Sequence, residues 1–208
     1  DSSMSHRTEC AIPGCHRRPI ERSYWCPAHA QRSSRYGSPT GRPLPDKELR
    51  PYHKFIQDGI AKYWNRKATQ TALTLAQEIL DYAPLHGFGV EFEIETEMRR
   101  LANRGVTAEE LLARVCEFYA YLADHPSRFK SQREEDFALA RAVLRLRPTA
   151  RRYGYCARLL NWLAPIIKDR LGLYALALLR RLKQDEAERA ALIKQTTNFD
   201  EGAKQVCS

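Results

Sequence analysis

Residues 107–122, Thr-Ala-Glu-Glu-Leu-Leu-Ala-Arg-Val-Cys-Glu-Phe-Tyr-Ala-Tyr-Leu, carry the clearest structural signal in the chain. Apolar side chains recur there three and four residues apart, which is the period of a helix that buries one face. Thr107, with Glu110 three residues later, has the capping-box pattern that begins a helix. This stretch therefore predicts an amphipathic α-helix.

The helical period continues on both sides of that stretch. Further helices are predicted from Pro51, over residues 69–82, after Ser131, and from Ala157 to Lys183. Pro165 and Gly172 predict a bend or a break within the last of these. We therefore predict a mainly α protein, with an all-helical domain over residues 46–195 and a flexible tail over residues 196–208.

Residues 90–98 fit two different periods. Val90, Phe92 and Ile94 alternate with glutamates, as in a strand, whereas Val90, Ile94 and Met98 are spaced as on one helix face. The apolar residues from Met98 onward favour the helix, which is our prediction. In the alternative strand, four carboxylates would line one face and could attract a divalent metal ion: Glu91, Glu93, Glu95 and Glu97.

A proline- and glycine-rich run separates the helical domain from a small N-terminal module. Residues 37–45 read Gly-Ser-Pro-Thr-Gly-Arg-Pro-Leu-Pro. Such a run cannot continue a helix and is typical of a linker. We place the boundary at residue 45, so that residues 1–45 form the module and its linker.

The N-terminal module contains the strongest chemical signal, the pattern Cys10-x4-Cys15-x10-Cys26-x2-His29. Three thiolates and one imidazole are a ligand set that Zn²⁺ prefers. Cys26 and His29 are three residues apart, so both would face one ion from the first turn of a helix. His16 is an alternative ligand, although it directly follows Cys15. A module of this size cannot build a stable core, so zinc would supply its folding free energy.

The module resembles a zinc finger found in many phage and mobile-element proteins, where it is often attached to HNH-type endonucleases or to DNA-binding domains. The resemblance covers roughly residues 9–39. It implies a treble-clef-like finger, with a zinc knuckle followed by a short helix. The matching residues are Cys10, Pro13, Gly14, Cys15, Arg18, Pro19, Tyr24, Cys26, His29, Arg32, Arg35, Tyr36, Gly37 and Pro39.

Composition and missing motifs exclude several function classes. The formal net charge is +9, with a basic N-terminal third, an acidic middle and a second basic stretch, which favours a polyanionic partner. No apolar run approaches the roughly 18 residues that cross a bilayer. There is no P-loop, nucleophile elbow or nuclease motif, and the later histidines lack an HNH frame. We predict a bacterial protein of the cytoplasm or nucleoid that is not an enzyme.

Two groups of basic residues suit nucleic acid. In the finger, arginine side chains can bind phosphate bidentately or enter a narrow minor groove. These residues are Arg17, Arg18, Arg32 and Arg35, with Tyr36 beside them. A second stripe of arginines would form if one helix continued through Pro148. Its members, Arg141, Arg145 and Arg152, would contact further phosphates of the nucleic-acid backbone.

The function predicted from these patterns is zinc-dependent DNA binding in a phage or mobile element, as a regulator or an accessory factor of recombination, transposition or replication. RNA remains open as the target, because phosphate contacts do not distinguish it from DNA. One alternative is an adaptor that binds protein, or a second copy of itself, through the finger and the apolar C-terminal helix. Another alternative is a diverged nuclease that uses the four glutamates of residues 91–97.

Overall fold

The computed structural model describes residues 9–21, 23–82, 89–147 and 155–206, with residues 192–206 described by their backbone alone. The described chain is helical and contains no β-strand, which confirms the predicted fold class. The helices are α1 (Pro27–Tyr36), α2 (Asp46–Lys62), α3 (Lys67–Leu80), α4 (Val90–Asn103), α5 (Ala108–Asp124), α6 (Gln132–Leu144), α7 (Ala157–Ile167) and α8 (Leu173–Val206). A π-helical turn, Lys168–Gly172, joins α7 to α8.

Helix α5 lies at the centre of the helical body. Its residues 111–121 are buried apart from Arg114, because α2, α3, α6 and α8 all pack against it. The predicted capping box is present: the Thr107 hydroxyl accepts from the Glu110 N–H, and the Glu110 carboxylate accepts from the Thr107 N–H. The most easily predicted helix is therefore also the one around which the core is built.

Two helix boundaries differ from their predictions. Pro51 lies inside α2, which begins five residues earlier at Asp46, where acidic residues in the first turn favour a helix N-terminus. At the other end, α8 continues to Val206 through the segment that the sequence predicts to be a tail. Its residues 184–195 are rich in Gln, Glu and Ala, which are strong helix formers, and contain no Gly or Pro, so no stop signal precedes the tail.

The ambiguous segment is a helix, as predicted. Helix α4 buries Ile94, Met98 and Leu101 on one face. The alternative strand with a row of carboxylates is wrong, because Glu95 and Glu97 instead pair along the helix with Arg99 and Arg100.

The predicted linker is packed between the finger and the helical body. Ser38 and Leu44 are buried, and Leu44 belongs to the main core. Gly37 ends α1 with φ +77° and lies against α6, where an added Cβ would come within 2.5 Å of the Arg133 carbonyl oxygen. Residues 37–45 therefore hold the finger against α6.

Candidate metal centre and basic surface

The first two cysteines are placed by a tight turn. The Cys15 N–H donates to the Ile12 carbonyl at 3.0 Å, with Pro13 and Gly14 at the two central positions. Gly14 has φ +75°, which is the left-handed conformation that a type II turn requires at its third residue. The turn brings the thiols of Cys10 and Cys15 to the same side of the loop, where both join one cluster.

The other two residues of the cluster belong to the start of α1. Cys26 is the N-cap residue, Pro27 occupies the first helical position, and His29 lies in the first turn. The loops are joined by backbone hydrogen bonds from Ala11 to Tyr24 and from Ile20 to Trp25, each 2.9 Å long. The predicted knuckle followed by a short helix is thus the observed local structure.

The four ligand atoms converge on one point. Nδ1 of His29 lies 3.3 Å from Sγ of Cys10 and 3.3 Å from Sγ of Cys26. Sγ of Cys15 lies 3.9 Å from Sγ of Cys26, and all four ligand atoms lie within 4.8 Å of one another. Cys10, Cys15, Cys26 and His29 can therefore hold a metal ion.

Backbone hydrogen bonds lower the pKa of two of the thiols, which favours the thiolate form that binds a metal cation. The pKa of Cys26 is lowered chiefly by the backbone N–H of His29. Burial alone would raise the pKa of Cys10, but N–H groups of Cys26 and Ile12 outweigh it and lower that pKa. At Cys15 the N–H of Arg17 favours the thiolate, yet burial and the neighbouring thiols raise the pKa. A bound cation would relieve this crowding of negative charge.

The cluster excludes the alternative ligand. His16 is exposed and lies 3.5 Å from the carboxylate of Glu9, outside the four converging atoms. Within the described ranges of the chain, no other group of three His, Cys, Asp or Glu residues is arranged to hold a metal ion.

The predicted arginines of the finger are all exposed. We call Arg17, Arg18, Arg32 and Arg35 the basic finger surface; all four are exposed. The Arg17 carbonyl accepts from the Cys10 N–H at 2.9 Å, so the knuckle arginines border the ligands directly. Arg32 and Arg35 are three residues apart on α1 and share a face. Among the described residues, none of the four side chains has an ion-pair or hydrogen-bond partner.

The second predicted group of arginines does not form an exposed stripe. Helix α6 ends at Leu144, so Arg141 and Arg145 do not continue along one helix toward Arg152, which lies outside the described residues. Arg141 is buried at 8% exposure, beneath the ring of Tyr36. Arg145 is half-buried and donates to the Leu44 carbonyl at 3.1 Å.

Near these arginines the sequence did not single out Arg42, and it did not predict that Tyr155 contacts an arginine. Arg42 is exposed and lines a narrow cleft with Tyr36 and Arg141. Tyr155 contacts Arg141, with its ring centroid 6.0 Å from the central carbon of the Arg141 guanidinium. The signal for Arg42 was its place in the basic N-terminal third, whereas nothing in the sequence pattern pairs Tyr155 with Arg141.

The apolar C-terminal segment is mostly core. Leu159, Leu163 and Ile167 are fully or almost fully buried, whereas Leu173 is 80% exposed and Leu176 is 41% exposed. In the part of the chain that the structure describes, no helix has the length and apolar character needed to span a membrane.

Fold and site together define a small finger, whose Cys3His cluster could hold a metal ion, packed against an all-helical body. Comparison of the chain with protein-family models, curated proteins and solved structures gives no match.

Proposed function

We propose that this chain is a zinc-dependent DNA-binding protein, and a binding protein rather than an enzyme. The observation that carries the proposal is the basic finger surface, whose four arginines are exposed and have no described partner. The resemblance of the finger adds the setting, a regulator or accessory factor in a phage or mobile element.

The ligand distances support zinc as the metal. A tetrahedral Zn²⁺ ion would place two sulfur ligands about 3.8 Å apart, and sulfur and nitrogen about 3.6 Å apart. The corresponding distances here are 3.9 Å between Sγ of Cys15 and Cys26, and 3.3 Å between His29 and Cys10. Three thiolates also favour zinc over the hard cations Mg²⁺ and Ca²⁺, which prefer oxygen ligands.

Zinc would also be what folds the finger. Among the described residues between 9 and 36, the buried side chains are those of Cys10, Cys26 and Ser33, none of which forms an apolar core. Ile20 and Tyr24 are 42% and 63% exposed. Because so little apolar surface is buried, the binding free energy of the metal is the main source of local stability.

The charges of the helical body contrast with those of the finger. Many basic side chains of the body reach a carboxylate within 3 Å. Examples are Lys62 with Asp185, Arg100 with Glu97, Arg147 with Glu110, and Lys168 with Glu135. Such pairs neutralise the body locally, so the finger arginines remain available to a polyanion.

The proposed contact is mainly to the phosphate backbone. Arginine binds phosphate through two parallel N–H groups, and each neutralised phosphate releases counterions. Binding should therefore weaken steeply with salt. We propose duplex DNA as the target. A higher affinity for RNA than for duplex DNA would identify RNA as the target instead.

The test is a titration of the full chain against labelled duplex DNA, single-stranded DNA and RNA across a salt series. Arg32→Ala/Arg35→Ala should weaken duplex binding about tenfold or more and lower the salt slope by about 2, because two phosphate contacts are lost. The matched control, Arg180→Ala/Arg189→Ala on α8, removes the same charge from exposed positions remote from the finger. Equal affinity of the two double variants, or no binding to any of the three at low salt, would contradict the proposal.

A second candidate is the adaptor, favoured by the exposed side chains of Leu173 and Leu176. They are three residues apart on α8 and therefore share a face, which could dock a protein or a second copy of this chain. The titration separates the candidates, because an adaptor would not bind nucleic acid with a steep salt dependence.

A further inference from the structure

Arg141 is a buried cation with unsatisfied donors. Its side chain lies on α6 at 8% exposure, and its Nε and Nη2 atoms have no acceptor in the described part of the chain. Burying a guanidinium without a counter-charge is costly, so proteins usually provide a carboxylate or a ligand. The described structure provides no carboxylate for these two atoms.

Two tyrosine rings hold the guanidinium in place. Its central carbon lies 5.5 Å from the ring centroid of Tyr36 and 6.0 Å from that of Tyr155. These cation–π contacts offset part of the burial cost and fix the orientation of the group. The ring faces do not replace an in-plane oxygen acceptor, so the N–H groups of Nε and Nη2 remain unsatisfied in the described structure.

The charges around Arg141 are also positive. Burial lowers the pKa of Arg141, and the nearby cations Arg145 and Arg35 lower it further, although the two tyrosines oppose this. Glu134 lines the cleft beside Arg141, but its carboxylate accepts from the Lys130 N–H and lies 4.0 Å from Arg128. Its charge is therefore already engaged away from Arg141.

We infer that Arg141, together with Arg145, which donates to the Leu44 carbonyl in the lining of the same cleft, binds one phosphate group at the junction of α1 and α6. A phosphate offers oxygen acceptors that match the planar fork of a guanidinium, and its charge would balance the two arginines. The inference rests on the proposed function in taking a DNA backbone phosphate as the natural source. A free phosphate ion has the same chemistry and is the other source to be tested.

The first arm of the test uses inorganic phosphate. Thermal unfolding of the full chain is measured in phosphate and in chloride at equal ionic strength, for the wild type, Arg141→Met and the control Arg180→Met. With a dissociation constant of about 0.1 mM, about 10 mM phosphate should raise the midpoint of wild type and control by about 5 °C. Arg141→Met should show no rise, and in chloride it should unfold no earlier than the wild type, because it removes an unpaired buried charge.

The second arm uses duplex DNA at constant salt. If DNA supplies the phosphate, Arg141→Met should bind duplex about tenfold more weakly than the control. Arg145→Gln is the second variant, for the case that Arg141→Met does not fold. Its half-buried side chain can be replaced without opening the core. It should reduce both the stabilisation by phosphate and the affinity for duplex DNA.

The outcomes separate this inference from the proposed function. A phosphate effect without any nucleic-acid binding would support the site, with free phosphate as its source, and contradict the proposed function. Loss of DNA affinity in Arg141→Met without a free-phosphate effect would support the site with DNA as its source. If phosphate stabilises no more than chloride and DNA binding is unchanged in both variants, the inference is wrong and the proposed function stands.

Discussion

Gly37 shows how one residue fixes the finger against the helical body. Its backbone has φ +77°, and an added Cβ would meet the Arg133 carbonyl oxygen at 2.5 Å. Gly105 has the same φ of +77°, but nothing lies within 4 Å of an added Cβ there. Both glycines therefore need the left-handed conformation, but only Gly37 lies close to the backbone of another helix. The two positions form a matched pair.

The pair yields a stability prediction. Both Gly37→Ala and Gly105→Ala should lose about 1 kcal/mol from the left-handed conformation. Gly37→Ala should lose about 2 kcal/mol more, because the backbone of α6 must move away. Urea unfolding monitored by circular dichroism measures both free energies of unfolding. Equal losses for the two variants would mean that the finger does not press on α6 at this position.

At the scale of elements, Glu110 connects two helices. Its carboxylate accepts the Thr107 N–H that begins α5, and it also binds Arg147, which lies just beyond the end of α6. Burial would raise the pKa of Glu110, but hydrogen bonds from Arg147 and Thr107 outweigh it and lower that pKa. A folded-state pKa below the unfolded value of about 4.3 stabilises the protein above that value, and the contribution is lost as the pH falls through the folded-state pKa.

Glu110→Gln should therefore be destabilised at neutral pH and approach the wild type near pH 3. The difference at neutral pH should be at most about 1 kcal/mol, because the pair is partly exposed and screened by solvent. Glu109→Gln is the control, since it removes the same charge from the same helical turn without a described partner. Urea unfolding at several pH values tests this, and a pH-independent difference between the two variants would argue against the linkage.

The starts of the helices were predictable where they depend on residues that are neighbours in the sequence. The capping box at Thr107 and the Cys26 helix start depend on neighbouring residues, so the sequence contains them. The environment of Arg141 was not predictable, because its partners Tyr36 and Tyr155 come from two other segments of the chain. A helical spacing identifies a face, but it does not tell whether that face meets solvent or a docked finger.

At the scale of the whole molecule, the chain joins two parts with different sources of stability. The helical body has a continuous apolar core that includes Phe118, Phe137 and Leu139, whereas no described residue of the finger up to Tyr36 belongs to that core and the proposed function assigns its stability to a bound metal. The four ligand types and their spacing were evident in the sequence, since they lie within 20 residues of one another. The docking of the finger on α6 was not, since it depends on contacts between distant segments.

Removal of the metal should consequently unfold one part and spare the other. With a strong chelator, backbone amide signals of residues 9–36 should collapse to unfolded positions in a two-dimensional NMR spectrum, because the finger has no core of its own. Signals of α5 should persist, and DNA affinity should be lost together with the finger. Cys26→Ser should reproduce this state without chelator, whereas the control Cys156→Ser, at an exposed cysteine outside the cluster, should resemble the wild type. Collapse of the α5 signals as well would show that the body requires the finger, and an unchanged spectrum would show that the cluster does not depend on a metal.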